Sequence, residues 1–469
     1  MMGPNRRQFV NALGGLAVAP LFAGARSGRR PESADTGRHP NIVFILADDL
    51  GYGDLGLLGR TEYETPRIDS IGRGGLFLPE AYANSSVCSP TRFALATGRY
   101  QYRLRGGLEE PIGGTEDVGL PPDHPTIASQ LRKAGYRTTL VGKWHMGSPP
   151  HYGPLKSGYD RFFGIHEGGA DYFSHRASFN NLGSSSLYEG DQMIDRHGYM
   201  TDLLSDRAAD EIKQAAVEGV PLFLSLHYTA PHWPWEGPED EGVSRQLGSL
   251  QNYEGGSERI WASIMRALDQ GVGRVLDVIE AAGQANNTIV IFTSDNGGER
   301  FSRVWPFTGM KGQLLEGGIR VPLFISWPGH IARGGRSDQV MASMDFMPTL
   351  LAAAGGETHP DFLPDGLNLL PQIVGDTPTV DRPLYWRYKA GEQAAARLGR
   401  WKYLKAYGHE YLFDLSADRQ ERANLSKSHP EIVDQLKSGW QRWNATMLPY
   451  PKDSFSFSVK GTGHVAEYD

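Results

Sequence analysis

Four short apolar runs, each closed by a cluster of polar residues, constrain this chain more than any other feature. Asn41-Ile42-Val43-Phe44-Ile45-Leu46-Ala47 is followed at once by Asp48-Asp49. Tyr136 to Val141 leads into Gly142-Lys143-Trp144-His145, Pro221 to Tyr228 into Thr229-Ala230-Pro231-His232, and Thr288 to Ser294 into Asp295-Asn296-Gly297-Gly298. Runs rich in β-branched and aromatic residues suit strands buried on both faces, and amphipathic stretches separate them. The pattern therefore predicts an α/β fold with helices on both faces of a mostly parallel sheet. Ligands of open sheets bind beyond the carboxyl ends of the strands, so the four polar clusters are expected to meet at one edge.

The segments between the runs agree. Thr126 to Ala134 forms a helical pattern closed by Gly135, and Ser257 to Ala282 places Ile260, Ile264, Leu268, Val272, Leu276 and Ile279 three or four residues apart along one long helix. Residues 166–198 break the alternation with Gly168, Gly169, Ser184 to Ser186 and the aromatics Tyr172, Phe173, Phe179 and Tyr188, a composition that predicts a long surface excursion. From about residue 380 the chain turns to short aromatic strands, Leu384 to Tyr388 and Trp401 to Lys405, and then a helical tail around Glu431 to Trp443. A small antiparallel domain is expected there. The expected divisions are 1–25, 26–39, 40–375 and 376–469.

Residues 1–25 carry Arg6-Arg7, an apolar stretch from Ala12 to Phe22 and the small residues Ala23-Gly24-Ala25, the layout of a twin-arginine export signal, with 26–39 as linker. The apolar stretch is too short for a bilayer, which needs about 20 residues, and it contains Gly14, Gly15 and Pro20. Export by the twin-arginine machinery to the periplasm or beyond is expected, without a stable membrane anchor. The net charge of -7 lacks the electrostatic footprint of a general nucleic-acid binder. The single cysteine, Cys88, excludes an intrachain disulfide and a cysteine-rich zinc site.

Cys88-Ser89-Pro90-Thr91-Arg92 has the composition of a loop entering a helix, with Ser89 as N-cap and Pro90 in the first turn. Arg92 then lies one turn beyond Cys88, so a nucleophile and an anion-holding group come together at a helix N-terminus. Phosphatases that wrap a phosphate in a cysteine loop need five residues between Cys and Arg, and here there are three. With Thr97-Gly98-Arg99 following, the segment resembles the CxPxR signature of the type I sulfatases, and the resemblance runs from Asn41 to about Leu425. Glu410 to Leu415 and Glu421 to Leu425 resemble the stretch that closes that family's C-terminal domain.

The resemblance implies an alkaline-phosphatase-like sandwich with a small antiparallel C-terminal domain, and hydrolysis of an aryl or carbohydrate sulfate. It implies that Cys88 is oxidised to formylglycine by a formylglycine-generating enzyme, and that the hydrated aldehyde supplies the attacking oxygen. Asp48, Asp49, Asp295 and Asn296, with residue 88, match the family's metal ligands. Such an all-oxygen set suits Ca²⁺, with Mg²⁺ second, and disfavours zinc. Arg92, Lys143 and Lys311 match groups that hold the sulfate, His232 the acid that protonates the departing alcohol, and His145 the base that takes a proton from the second hydroxyl of the hydrate. His227, inside the third run, is expected to be structural. Trp233-Pro234-Trp235 and the 166–198 segment offer aromatic faces that suit either a sugar ring or ordinary loop packing in the core. Two other readings use the same residues. A phosphate or phosphonate monoesterase of this fold usually has a histidine where Asn296 stands. A non-catalytic, cation-dependent glycan-binding protein would have little reason to keep Cys88 together with every candidate acid and base.

Overall fold

The computed structural model describes residues 39–113, 118–177, 186–246 and 255–458. The export segment, most of the linker, Phe179, Ser184 and Ser185 lie outside the described residues. Five parallel strands make the centre of the large sheet: β1 (Asn41–Ala47), β2 (Arg137–Lys143), β3 (Arg161–Ile165), β4 (Leu222–His227) and β5 (Thr288–Ser294). They lie side by side in the order β5-β1-β4-β2-β3. Antiparallel β6 (Leu323–Ser326) follows on the β5 side, and the short hairpin Tyr188–Glu189 and Gln192–Met193 on the β3 side.

Alternation along β1 shows why the strands are apolar throughout. Val43, Ile45 and Ala47 enter one core with Leu204, Ala208 and Ile212 of helix Met200–Glu218 and Ile264, Leu268 and Val272 of helix Glu258–Ala281. Ile42, Phe44 and Leu46 enter the opposite core with Phe93, Ile127, Leu131 and Phe346. The Glu258–Ala281 helix starts at Ser257, whose hydroxyl caps the Ile260 N–H, so both ends of this expected helix hold to within a residue. No described helix is long and apolar enough to cross a membrane.

At the C-terminal end, β7 (Leu384–Tyr388), β8 (Gln393–Leu398), β9 (Trp401–Ala406) and β10 (His409–Asp414) form an antiparallel sheet in sequence order. One face shares a core with Tyr82, Val87 and Leu314, and Ala396, Tyr403 and Leu412 pack with Val433 and Leu436 of helix Pro430–Asn444.

The expectation of a surface excursion over 166–198 needs correction. His166, Asp171, Tyr172 and His175 are buried, and Tyr188–Glu189 pairs with β3. The Tyr172 hydroxyl donates to the His232 carbonyl at 3.0 Å. Among the described residues, the part up to Ala177 therefore walls the strand ends, whereas 191–197 lies at the surface as expected.

Candidate active site

The parallel register brings the polar clusters to one level. Ala47 of β1 pairs with Ser294 of β5, and Leu46 with His227 of β4, so Asp48-Asp49, Asp295-Asn296 and Thr229 to His232 emerge side by side. The backbone ties the two acidic pairs together, with the Asp49 N–H donating to Asp295 Oδ1 at 3.2 Å and the Leu50 N–H to Ser294 Oγ at 3.0 Å. Asp49 adopts φ 63°, a left-handed conformation that costs a non-glycine residue about 1 kcal/mol and turns the chain back across the strand ends.

Cys88 is the first residue of the helix Cys88–Thr97, and Val87, not the expected Ser89, occupies the N-cap position. Ser89 instead accepts a hydrogen bond from the Ile112 N–H at 2.8 Å, so its hydroxyl secures a neighbouring loop. The Cys88 Sγ lies 3.8 Å from Asp49 Oδ1. Burial pushes the thiol well above its ordinary pKa, with Lys143 and Lys311 pulling it down. Arg92, one turn on and wholly buried, donates through Nε and Nη2 to Asp295 Oδ2 at 3.1 and 2.9 Å and through Nη1 to the Lys143 carbonyl at 2.9 Å. His227 Nδ1 lies 3.4 Å from Arg92 Nη1, and the ring is buried among these groups.

Two lysines complete the cluster. Lys143 Nζ donates to Asp48 Oδ2 and Lys311 Nζ to Asp49 Oδ2, each at 2.6 Å. Burial drives the Asp48 carboxyl well above its ordinary range against the pull of Lys143. The same burial acts on Asp49, but Lys311, His232 and Lys143 together outweigh it and hold that carboxyl low.

Hydrogen bonding assigns the histidine tautomers. His145 Nε2 lies 3.0 Å from the Ile112 carbonyl, so Nε2 carries the proton and Nδ1, which has no partner, presents a lone pair. Burial, then Lys143 and Arg92, keep this ring neutral. His232 donates from Nδ1 to the Trp233 carbonyl at 2.6 Å, which leaves Nε2, 3.6 Å from Asp49 Oδ2, as the atom able to exchange a proton. Burial lowers its pKa more than Asp49 raises it.

The donor set fits a hard cation. Ligand atoms of Asp48, Asp49, Cys88 and Asp295 lie within 4.8 Å of one another, and Asp48 Oδ1 and Asn296 Oδ1 are buried with no hydrogen-bond partner. Asn296 Nδ2 donates to Asp49 Oδ1 at 2.8 Å, which fixes which end of the amide is left for an ion.

All ten site residues expected from sequence thus meet at one buried cluster. Three features were not foreseen. The Ile112 carbonyl fixes His145, Glu299 Oε2 lies 3.7 Å from Lys311 Nζ, and a Cβ at Gly168 would lie 2.6 Å from the His145 ring. Gly168 was visible only as a glycine in an irregular stretch. Trp233 and Trp235, whose rings suited either a sugar or core packing, are 8% and 5% exposed and belong to the core.

The model of the family described as Sulfatase matches residues 40–356, and that of N-sulphoglucosamine sulphohydrolase, C-terminal, matches residues 310–445. The chain is 30% identical to arylsulfatase J of Mus musculus, with 92% of this chain and 80% of that protein aligned. It is 33% identical to N-acetylgalactosamine-6-sulfatase of Homo sapiens, over 77% of this chain and 71% of that protein. Among solved structures, Ps i-CgsB in complex with k-i-k-neocarrahexaose superposes with a TM-score of 0.80 at 29% identity, covering 92% of this chain and 98% of that one.

Proposed function

The chain belongs to the sulfatase family and is a sulfuric ester hydrolase, and from that premise we propose a mechanism built on residue 88 as formylglycine beside a divalent cation, Ca²⁺ before Mg²⁺. The observation that carries it is the convergence of Cys88, at a helix N-terminus, with the oxygens of Asp48, Asp49 and Asp295 within 4.8 Å. Asp48, Asp49, Asp295 and Asn296 would hold the cation, whose charge acidifies the nucleophile and draws in the sulfate oxygens. Residue 88, as the hydrated aldehyde, supplies the attacking oxygen.

The protein's own groups do the rest. Lys143 and Lys311 are the cations able to swing from Asp48 and Asp49 onto sulfate oxygens as charge builds there. Arg92 adds a third positive charge and anchors Asp295 against the turn that carries residue 88. His232, once it has taken up a second proton at Nε2, gives that proton to the alcohol as its bond to sulfur breaks, and His145 takes one at Nδ1 from the second hydroxyl of residue 88 as the C–O bond to sulfate breaks, restoring the aldehyde and releasing sulfate.

The substrate is a carbohydrate or aryl sulfate. The carbohydrate reading is supported by the saccharide bound to Ps i-CgsB and by the hexosamine sulfatase relatives. In this reading, 40–375 is the catalytic domain and 376–469 a smaller one. Residues 1–25, followed by the linker 26–39, direct export to the periplasm or outside after a formylglycine-generating enzyme has acted.

The test is the mass of the peptide containing residue 88, from protein made with and without formylglycine-generating activity, set against turnover of nitrophenyl sulfate. Aldehyde content and activity are expected to rise together. Full activity with unmodified cysteine would sink the mechanism.

A further inference from the structure

Residues 299–310 leave the sheet at the active site and return to it. Their two ends are closed by the Lys311 N–H, which donates to the Gly298 carbonyl at 3.0 Å, so the segment is an Ω-loop whose flanks are Asp295-Asn296 on one side and Lys311 on the other. Such a loop must project from the rim of the site.

Three sets of contacts hold it. On the side of β1, the Gly53 N–H donates to the Arg303 carbonyl at 2.8 Å, the Gly51 N–H to Ser302 Oγ at 3.0 Å, and the Arg303 N–H to buried Asp54 at 2.9 Å. A Cβ at Gly51 would lie 2.4 Å from the Arg303 carbonyl oxygen, and one at Gly53 2.7 Å from that of Trp305, so both glycines are needed for this close approach. On the side of His232, the Phe301 ring stands edge-on to Trp235 at 5.0 Å, with the Arg300 guanidinium 4.8 Å from Phe301 and 5.7 Å from Trp235. Phe301 takes φ 68° to reach that position. At the loop's inner end Glu299 faces Lys311 at 3.7 Å.

The loop's exposed residues are Arg303, whose guanidinium pairs with Glu62, and Trp305. Trp305 is 62% exposed, whereas the other nine tryptophans are buried or half-buried. An aromatic face standing in water on a loop whose two ends carry Asn296 and Lys311 is suited to the apolar C–H face of a sugar ring. Resting on the sulfatase reading, we propose that Trp305 stacks on a sugar residue next to the one that bears the scissile sulfate. The chain then acts on sulfated oligosaccharides and polysaccharides in preference to monosaccharide sulfates.

The test compares kcat/KM for hexasaccharides of a sulfated galactan and of a sulfated N-acetylgalactosamine-containing glycan with kcat/KM for the corresponding sulfated monosaccharides. In the native protein the hexasaccharide is expected to be preferred. Trp305→Ala should lower the hexasaccharide-to-monosaccharide ratio about tenfold, the equivalent of one aromatic stacking contact, and Trp305→Phe should restore most of it. Matched thermal unfolding of the variants shows that the fold is intact. An unchanged ratio in Trp305→Ala, or a native protein that turns over nitrophenyl sulfate but does not favour a hexasaccharide, overturns the inference and leaves the sulfatase chemistry standing. No turnover of any of these esters, with formylglycine verified at residue 88, overturns the chemistry on which the inference rests.

Discussion

The protein buries two ionic clusters of the same formal make-up, and they differ in what they leave unanswered. At the active site Asp48, Asp49 and Asp295 face Arg92, Lys143 and Lys311. Where the C-terminal sheet meets the large domain, Glu80, Glu316 and Glu421 face Arg320, Arg397 and Lys402. In the second cluster Glu316 accepts from Arg320 at 2.7 Å, Tyr82 at 2.8 Å, and Lys402 at 3.0 Å, Lys402 also reaches Glu421 at 2.8 Å, and Arg320 and Arg397 lie over the Tyr82 ring. In that network each charge lies within 3.0 Å of an opposite one, and the one oxygen without a hydrogen bond, Glu421 Oε1, is ion-paired to Lys402. The active-site cluster keeps Asp48 Oδ1 and Asn296 Oδ1 without partners and crowds three carboxylates around a thiol. Buried charge in the Glu316 network fastens one sheet to another. At the active site it is held ready for a ligand that supplies what the protein withholds.

Breaking the open cluster should cost activity first. Asp295→Ala is expected to lower nitrophenyl sulfate turnover by about a thousandfold or more, on the scale of losing a central electrostatic group, and to lose bound cation by elemental analysis. Stability is expected to fall as well, because buried Arg92 loses the carboxylate to which its Nε and Nη2 donate, so turnover is compared per folded molecule. Retained activity in a protein shown to be free of cation would erase the distinction between the clusters.

The closed cluster should respond in the opposite way. Lys402→Met removes the cation paired with Glu421, while Glu316 keeps Arg320, and an unpaired buried charge typically costs about 3–5 kcal/mol. Urea unfolding is expected to show a loss of this order, with kcat on nitrophenyl sulfate retained by the fraction that stays folded.

The smallest effect is a pH dependence within the closed cluster. Burial pushes the Glu421 carboxyl from 4.5 up to about 7, against the pull of Lys402, while Glu316, also penalised by burial, is held low by Arg320 and Lys402. Folded protein therefore keeps a proton at Glu421 that the unfolded chain releases. This contribution is fully present below pH 4.5 and is lost as pH rises through about 7. Glu421→Gln should flatten that slope in unfolding free energy measured from pH 5 to 8, and an unaltered slope would move the titration elsewhere.

Much of this was legible in the chain. β1 and β5 occupy the residues that their apolar runs marked, because a strand buried on both faces must be apolar throughout, and that is a local property. The ten candidate residues that converge were likewise readable, since each follows a strand end or lies in a short motif. Tertiary structure decided what those residues do to one another. Asp49 and Asp295 meet across 246 positions of sequence, and the tautomer of His145 depends on the carbonyl of Ile112, 33 residues away. Nothing in the local sequence distinguishes Trp235, buried at 5%, from Trp305, exposed at 62%. Which aromatic face meets solvent is set by what distant segments lay over it, here Phe301 and Arg300 covering Trp235 while the same loop turns Trp305 outward. Strand positions follow from the apolar pattern of a few neighbouring residues, whereas partners and exposure depend on the packing of the whole chain.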